Sequence, residues 1–116
     1  MTDRELLELA AKAAGVEGKY RAQYAGDKEY GGFWHSGVCW NPLTDDGDAL
    51  RLAVKLKFDM CIDTTKENEP FTHVIGVLSE HTMIPFSEIE YHNNDPYAAT
   101  RRAIVRAAAE IGRGMK

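Results

Sequence analysis

The chain has 116 residues, a mass of 13.0 kDa and a net charge of −4, with 44% hydrophobic and 28% charged residues. These proportions exclude a disordered segment. Size scaling gives about 6,300 Å² of folded surface from roughly 19,000 Å² unfolded, so a single domain over 1–116 can form a core without disulfides or a structural metal. No apolar run approaches the roughly 20 residues that cross a bilayer, and the acidic start MTDRELLELAAKAAG lacks the pattern of an export signal, so a cytoplasmic chain is expected.

A first helix is predicted over about Thr2–Ala14. Thr2 and Glu5 have capping-box spacing, Asp3 suits the positive end of the dipole, and Leu6, Leu9, Ala10 and Ala13 form one stripe. Gly15 ends it. Residues Gly18–Tyr24 alternate, with Tyr20, Ala22 and Tyr24 opposite Lys19, Arg21 and Gln23, the period of a half-buried strand. Gly26–Gly32, rich in glycine and charge, is predicted as a turn or mobile loop, and Phe33–Trp40 as one further strand, hairpin-paired with the first. Gly37 marks a bulge in it, and Trp34 and Trp40 share a face.

Asn41-Pro42 closes that strand. Thr44, Asp45 and Asp46 are candidate N-caps for a second helix to about Lys57, with a core stripe of Ala49, Leu52, Ala53 and Leu56 widened by Leu50 and Val54. Asp59–Thr65 and Phe71–Ser79 are predicted strands joined by the charged turn KENEP. Ser87–His92 alternates as an edge strand, with Ile89 and Tyr91 on one face and Glu88 and Glu90 opposing aggregation. The last helix opens at Asp95-Pro96 and carries Ile104, Ala107, Ala108 and Ile111 as its stripe before Gly112 and Gly114 end it.

The order α-β-β-α-β-β-(β)-α predicts an α+β protein, a three-layer α-β-α sandwich around a mostly antiparallel central sheet. Its expected core is Leu52, Ala53, Leu56, Val74, Ile75, Val77, Ile104, Ala107, Ala108 and Ile111.

Chemistry-bearing motifs are sparse. Asp45, Asp46 and Asp48 crowd one helical turn, where acids suit the dipole, instead of alternating along a calcium loop. His35, Cys39, Cys61, His73 and His81 lack zinc-ligand spacing, and no GxSxG, P-loop or GxGxxG occurs. A non-enzymatic protein with no metal and no cofactor is expected, with Cys39 and Cys61 as free thiols. Residues 95–116 hold five basic and two acidic side chains, a local +3 in an acidic chain, so nucleic-acid binding is expected to be weak at most.

Two segments, CWNPLTDDGDALRLAVKL (Cys39–Leu56) and DPYAATRRAIVRAAAEIGRGM (Asp95–Met115), resemble the phage ABA-sandwich domain, a family of small uncharacterised proteins of tailed phages and prophages. The first helix with Gly15 and Gly18 is similar to it as well. The resemblance implies α-β-α layers and no established enzymatic activity, and it places the chain in the host bacterial cytoplasm. It carries over no site residues.

Residues 59–94, outside the resembling segments, hold seven acids against one base, Lys66, a net of −6. Such a surface steers a protein onto a basic partner. The expectation is therefore a phage-encoded accessory protein that acts by binding a bacterial host protein, for example as an anti-CRISPR-like inhibitor of a nucleic-acid-binding defence effector. The residues expected to make the contact are Glu67, Glu69, Glu80, Glu88 and Glu90, with Tyr30 and Trp34 as aromatic anchors. The alternative is a small-molecule or nucleotide-binding domain, its aromatics and basic last helix lining a pocket for an anionic ligand.

Overall fold

The computed structural model describes residues 1–26, 28–35, 37–77 and 85–115. The elements, in chain order, are α1 (Asp3–Ala14), β1 (Lys19–Ala25), β2 (Lys28–His35), β3 (Val38–Trp40), α2 (Asp46–Lys55), β4 (Asp59–Thr64), β5 (Pro70–Val77), β6 (Pro85–Tyr91) and α3 (Pro96–Arg113). The class is α+β and the helix caps follow the sequence. Thr2, Asp45 and Asp95 each accept a hydrogen bond from a first-turn N–H, and Gly15 closes α1 at φ 72°.

The expected single central sheet is replaced by two separate antiparallel meanders, β1-β2-β3 and β4-β5-β6. Phe33–Trp40 is not one strand, because the chain reverses between His35 and Val38 next to Gly37 at φ 79°. That conformation is open to glycine, so this glycine makes a hairpin and not a bulge. Trp40 consequently sits opposite Phe33, their rings edge to face at 6.2 Å, while Trp34 lies on the other face beside Cys39. The second meander turns through a three-residue loop. Asn68 N–H bonds Thr65 O, Thr65 N–H bonds Glu69 O, and Asn68 takes φ 63°, which asparagine tolerates.

The core lies between the helices and one face of each meander. α1 packs along α3 and over β1 and β2, α3 packs on β5 and β6, and α2 rests on α3. Gly112 belongs to α3 and does not end it: a Cβ there would run into the Leu9 carbonyl oxygen, so glycine permits the close crossing of the two helices. Leu6, Leu7, Ala10, Ala14, Ala49, Leu52, Ala53, Val74, Ile104, Ala107 and Ala108 are buried. Leu7 replaces the expected Leu9 and Ala13 at the centre of the α1 stripe because α1 meets both α3 and the first meander.

Four expected core residues are exposed: Ile75 and Val77 on β5, and Leu50 and Val54 on α2. Helices cover only one face of the second meander, so there are no α-β-α layers around it and the outward half of β5 has nothing from the described residues over it. Among the described residues no helix is long and apolar enough to cross a membrane.

Candidate functional site

Alternation along β5 sends Thr72, Val74 and Gly76 toward α3 and Phe71, His73, Ile75 and Val77 outward. Register extends the outward face to both sides. Asp59, Cys61 and Asp63 of β4 stand level with Ile75, His73 and Phe71, and Ser87, Ile89 and Tyr91 of β6 stand level with the same three. The Phe71 and Tyr91 rings lie 6.3 Å apart, and Ile75, Val77, Ile89 and Tyr91 are all exposed. The result is an apolar strip with an acidic border of Asp59, Asp63, Glu67 and Glu69, in which Lys66 is the one cation between residues 59 and 77. Within the strip His73 is half-buried, and its Nε2 has no hydrogen-bond partner among the described residues.

The structure divides the residues singled out from sequence. Glu67 and Glu69 are exposed on the β4–β5 turn. Glu80 lies outside the described residues. Glu88 and Glu90, expected to reach solvent, face inward from β6 and are held by Arg106 of α3, at 2.8 Å to Glu88 Oε2 and 2.6 Å to Glu90 Oε1. Their parity places them level with Val74 and Thr72, the residues that face α3, and Arg106 supplies the charge that allows carboxylates there. Burial works against the Arg106 charge, but the Glu90 hydrogen bond and the charges of Glu88, Glu90 and Glu110 outweigh it and raise its pKa further.

Tyr30 and Trp34 sit on β2, in the other sheet, so they do not join these acids. The Tyr30 side chain lies outside the described set, and Trp34 is half-buried with the Arg21 guanidinium 5.8 Å from its ring. The aromatics beside the acids are instead Phe71 and Tyr91. Phe71 is not distinguishable in the sequence because FTHVIGV is apolar or neutral at every position and does not reveal which alternate set faces out, and the alternation that pairs Tyr91 with Ile89 does not say that their face is the solvent one.

Other polar groups are accounted for structurally. Thr100 Oγ1 donates to Pro96 O at 2.8 Å, so it accepts from Thr72 Oγ1 at 2.7 Å, which in turn accepts from His92 Nε2–H at 2.7 Å. This buried relay ends on a carbonyl and has no free base in it. Burial, aided by the Asp48 carboxylate, pushes the Cys39 thiol up, away from the thiolate a nucleophile needs. Cys39 and Cys61 are on different sheets.

A cavity of about 660 Å³ opens between α1 and the first meander, bordered by Leu7, Tyr20, Cys39 and Asn41. Asn41 is consumed in holding the fold: its amide donates to Gly31 O, its Oδ1 accepts from Leu43 N–H and its own N–H bonds Asp48. The arginines of α3 are likewise engaged, Arg101 with Asp46, Arg102 with Asp3 and Arg106 with the two glutamates. No three His, Cys, Asp or Glu side chains converge to hold a metal among the described residues. No family model, curated protein or solved structure matches the chain.

Proposed function

We propose that this protein acts by binding, without catalysis, and docks onto a basic surface of a partner protein through the outward face of β4-β5-β6. The observation that carries the reading is the apolar strip of exposed Ile75, Ile89 and Tyr91 with half-buried Phe71, edged by Asp59, Asp63, Glu67 and Glu69. Exposed contiguous apolar surface with a polar rim is the signature of an interaction site. Apolar anchors hold a complex once formed, and rim charges set its association rate. The small chain, the acidic segment and the resemblance of Cys39–Leu56 and Asp95–Met115 to the phage ABA-sandwich domain support a phage or prophage accessory protein, working in the host cytoplasm as an inhibitor of a nucleic-acid-binding antiphage-defence effector.

Two measurements test this. Cells carrying a CRISPR or other defence system should regain plaque formation when the protein is expressed. A variant with Asp59, Asp63, Glu67 and Glu69 all changed to Lys should lose that effect while melting like the parent chain. Binding to the captured effector should slow with added salt for the parent and not for the variant. A folded charge-reversed variant that binds as fast as the parent at low salt defeats the docking reading.

A further inference from the structure

The second meander has two edges, and they are treated differently. On β5, Pro70 O accepts from His92 N–H at 2.9 Å, so the even residues of β5 bond β6 and the odd residues bond β4. On β4 the partners of those odd residues are 59, 61 and 63. Met60, Ile62 and Thr64 therefore turn their N–H and C=O groups away from the sheet. Asp63 Oδ1 caps the Thr64 N–H at 2.7 Å, and no described strand meets Met60 or Ile62.

At the opposite edge, β6 begins with Pro85, which has no N–H, and Arg106 reaches round to Ile89 O at 3.4 Å. Those are the devices by which proteins blunt an edge strand. At β4 the helix layer also stops short. Met60 and Ile62 point to the helix side, yet Ile62 is 64% exposed, and with Leu50, Tyr97 and Ile104 they form the apolar part of an open groove of about 410 Å³, where the one arginine, Arg101, is neutralised by Asp46 at 2.6 Å.

We infer that the β4 edge takes an extended segment of a partner protein as a fourth strand, its side chains alternating between apolar and Lys or Arg. Residues level with Met60 and Ile62 drop apolar side chains into the groove. Residues level with Asp59, Cys61 and Asp63 stand on the outer face beside two carboxylates, which select cations. The same carboxylates disfavour the self-pairing register of this strand that is centred on Cys61, and the face's net negative charge favours a basic partner over a second acidic copy. Antiparallel self-pairing centred on Cys61 sets Asp59 opposite Asp63 twice, and like charges directly opposite are destabilising.

This inference rests on the docking reading and adds the form of the partner's contact. The probe is a fluorescent octapeptide alternating Lys and Val, with the Glu and Val version as its control. The Lys peptide should bind, and hydrogen exchange at the Met60 and Ile62 amides should slow while that at Ile89 does not. Ile62→Pro removes an outward N–H without touching the β4–β5 ladder, and Leu50→Lys, at an exposed site, places a cation in the groove. Either should weaken binding by roughly tenfold or more.

Failure to bind at millimolar peptide, binding that leaves the Met60 and Ile62 amides unprotected, or a self-associated protein in which they are already protected would each overturn the inference. If the four-site charge reversal abolishes effector capture while Ile62→Pro and Leu50→Lys retain it, the docking reading stands and the added strand does not. If the charge reversal leaves capture unchanged while the two edge variants abolish it, the docking reading fails, and with it the selection of Lys or Arg by Asp59 and Asp63.

Discussion

β4 and β6 flank the same central strand, and both alternate acids with apolar residues, yet they are threaded in opposite phase. β4 turns Asp59 and Asp63 outward and Met60 and Ile62 toward the helices. β6 turns Glu88 and Glu90 toward the helices and leaves Ile89 and Tyr91 in solvent. Amphipathicity alone would bury the apolar set in both. The difference lies in α3, whose Arg106 under β6 is paired with that strand's own Glu88 and Glu90, whereas Arg101, beside the β4 groove, is paired with Asp46 of α2. One guanidinium reverses the ordinary preference of a strand, and the apolar residues it displaces become the exposed strip. The lesson is that an acid's partner, and not its neighbours in sequence, decides whether it belongs to a surface.

The comparison can be broken most severely with an acid on the α3 face that has no arginine. Ala107 is fully buried, so Ala107→Glu should cost about 4 kcal/mol, read from urea denaturation. A variant that melts like the parent would mean the helix faces are wrongly assigned.

Next in size, Arg106→Ala strands two partly buried carboxylates and should cost about 2–3 kcal/mol, at or below the usual range because all three groups keep some solvent contact. Replacing Arg106, Glu88 and Glu90 together with Leu should recover most of that loss. If the triple variant is as unstable as the single one, the ion pairs are not what sets the phase of β6.

A smaller effect of opposite sign is expected on the outward face. His73→Phe removes a buried polar atom that has no partner among the described residues and should stabilise by about 1 kcal/mol, seen as a higher denaturation midpoint. A lower midpoint would show that the imidazole makes a bond the apolar ring cannot replace. Smallest of all, Asp59→Asn with Asp63→Asn should change stability by no more than about 0.5 kcal/mol, because exposed charges contribute little. A loss comparable to Arg106→Ala would make the two edges energetically alike and end the contrast between them.

Much of the fold is legible in the chain because its signals are local. Thr2, Asp45 and Asp95 each cap a helix within three residues of themselves, Gly15 stops α1 through its own φ, and the stripe Ile104, Ala107 and Ala108 needs only the helical period. The candidate site was less legible. Its acids Glu67 and Glu69 were readable as an exposed charged turn, but its apolar half was assigned to the core as Ile75 and Val77. The hairpin between His35 and Val38 was also missed, since an apolar run containing one glycine is equally a bulged strand or a tight turn.

By itself, then, the sequence determined the helices, the positions of β1, β4, β5 and β6, the α+β class and the acidic character of residues 59–94, all properties set by spacing along the chain; it did not place β2, which begins at Lys28 inside the expected turn, or separate it from β3. Only the tertiary structure decided that the strands form two meanders, that α3 covers one face of the second and leaves the other bare, and that Arg106 draws Glu88 and Glu90 inward. Period two specifies that alternate residues share a face but not which face meets the core, because both phases satisfy the backbone equally. The choice is made by what packs against the strand, here an arginine 16 residues further along the chain than Glu90.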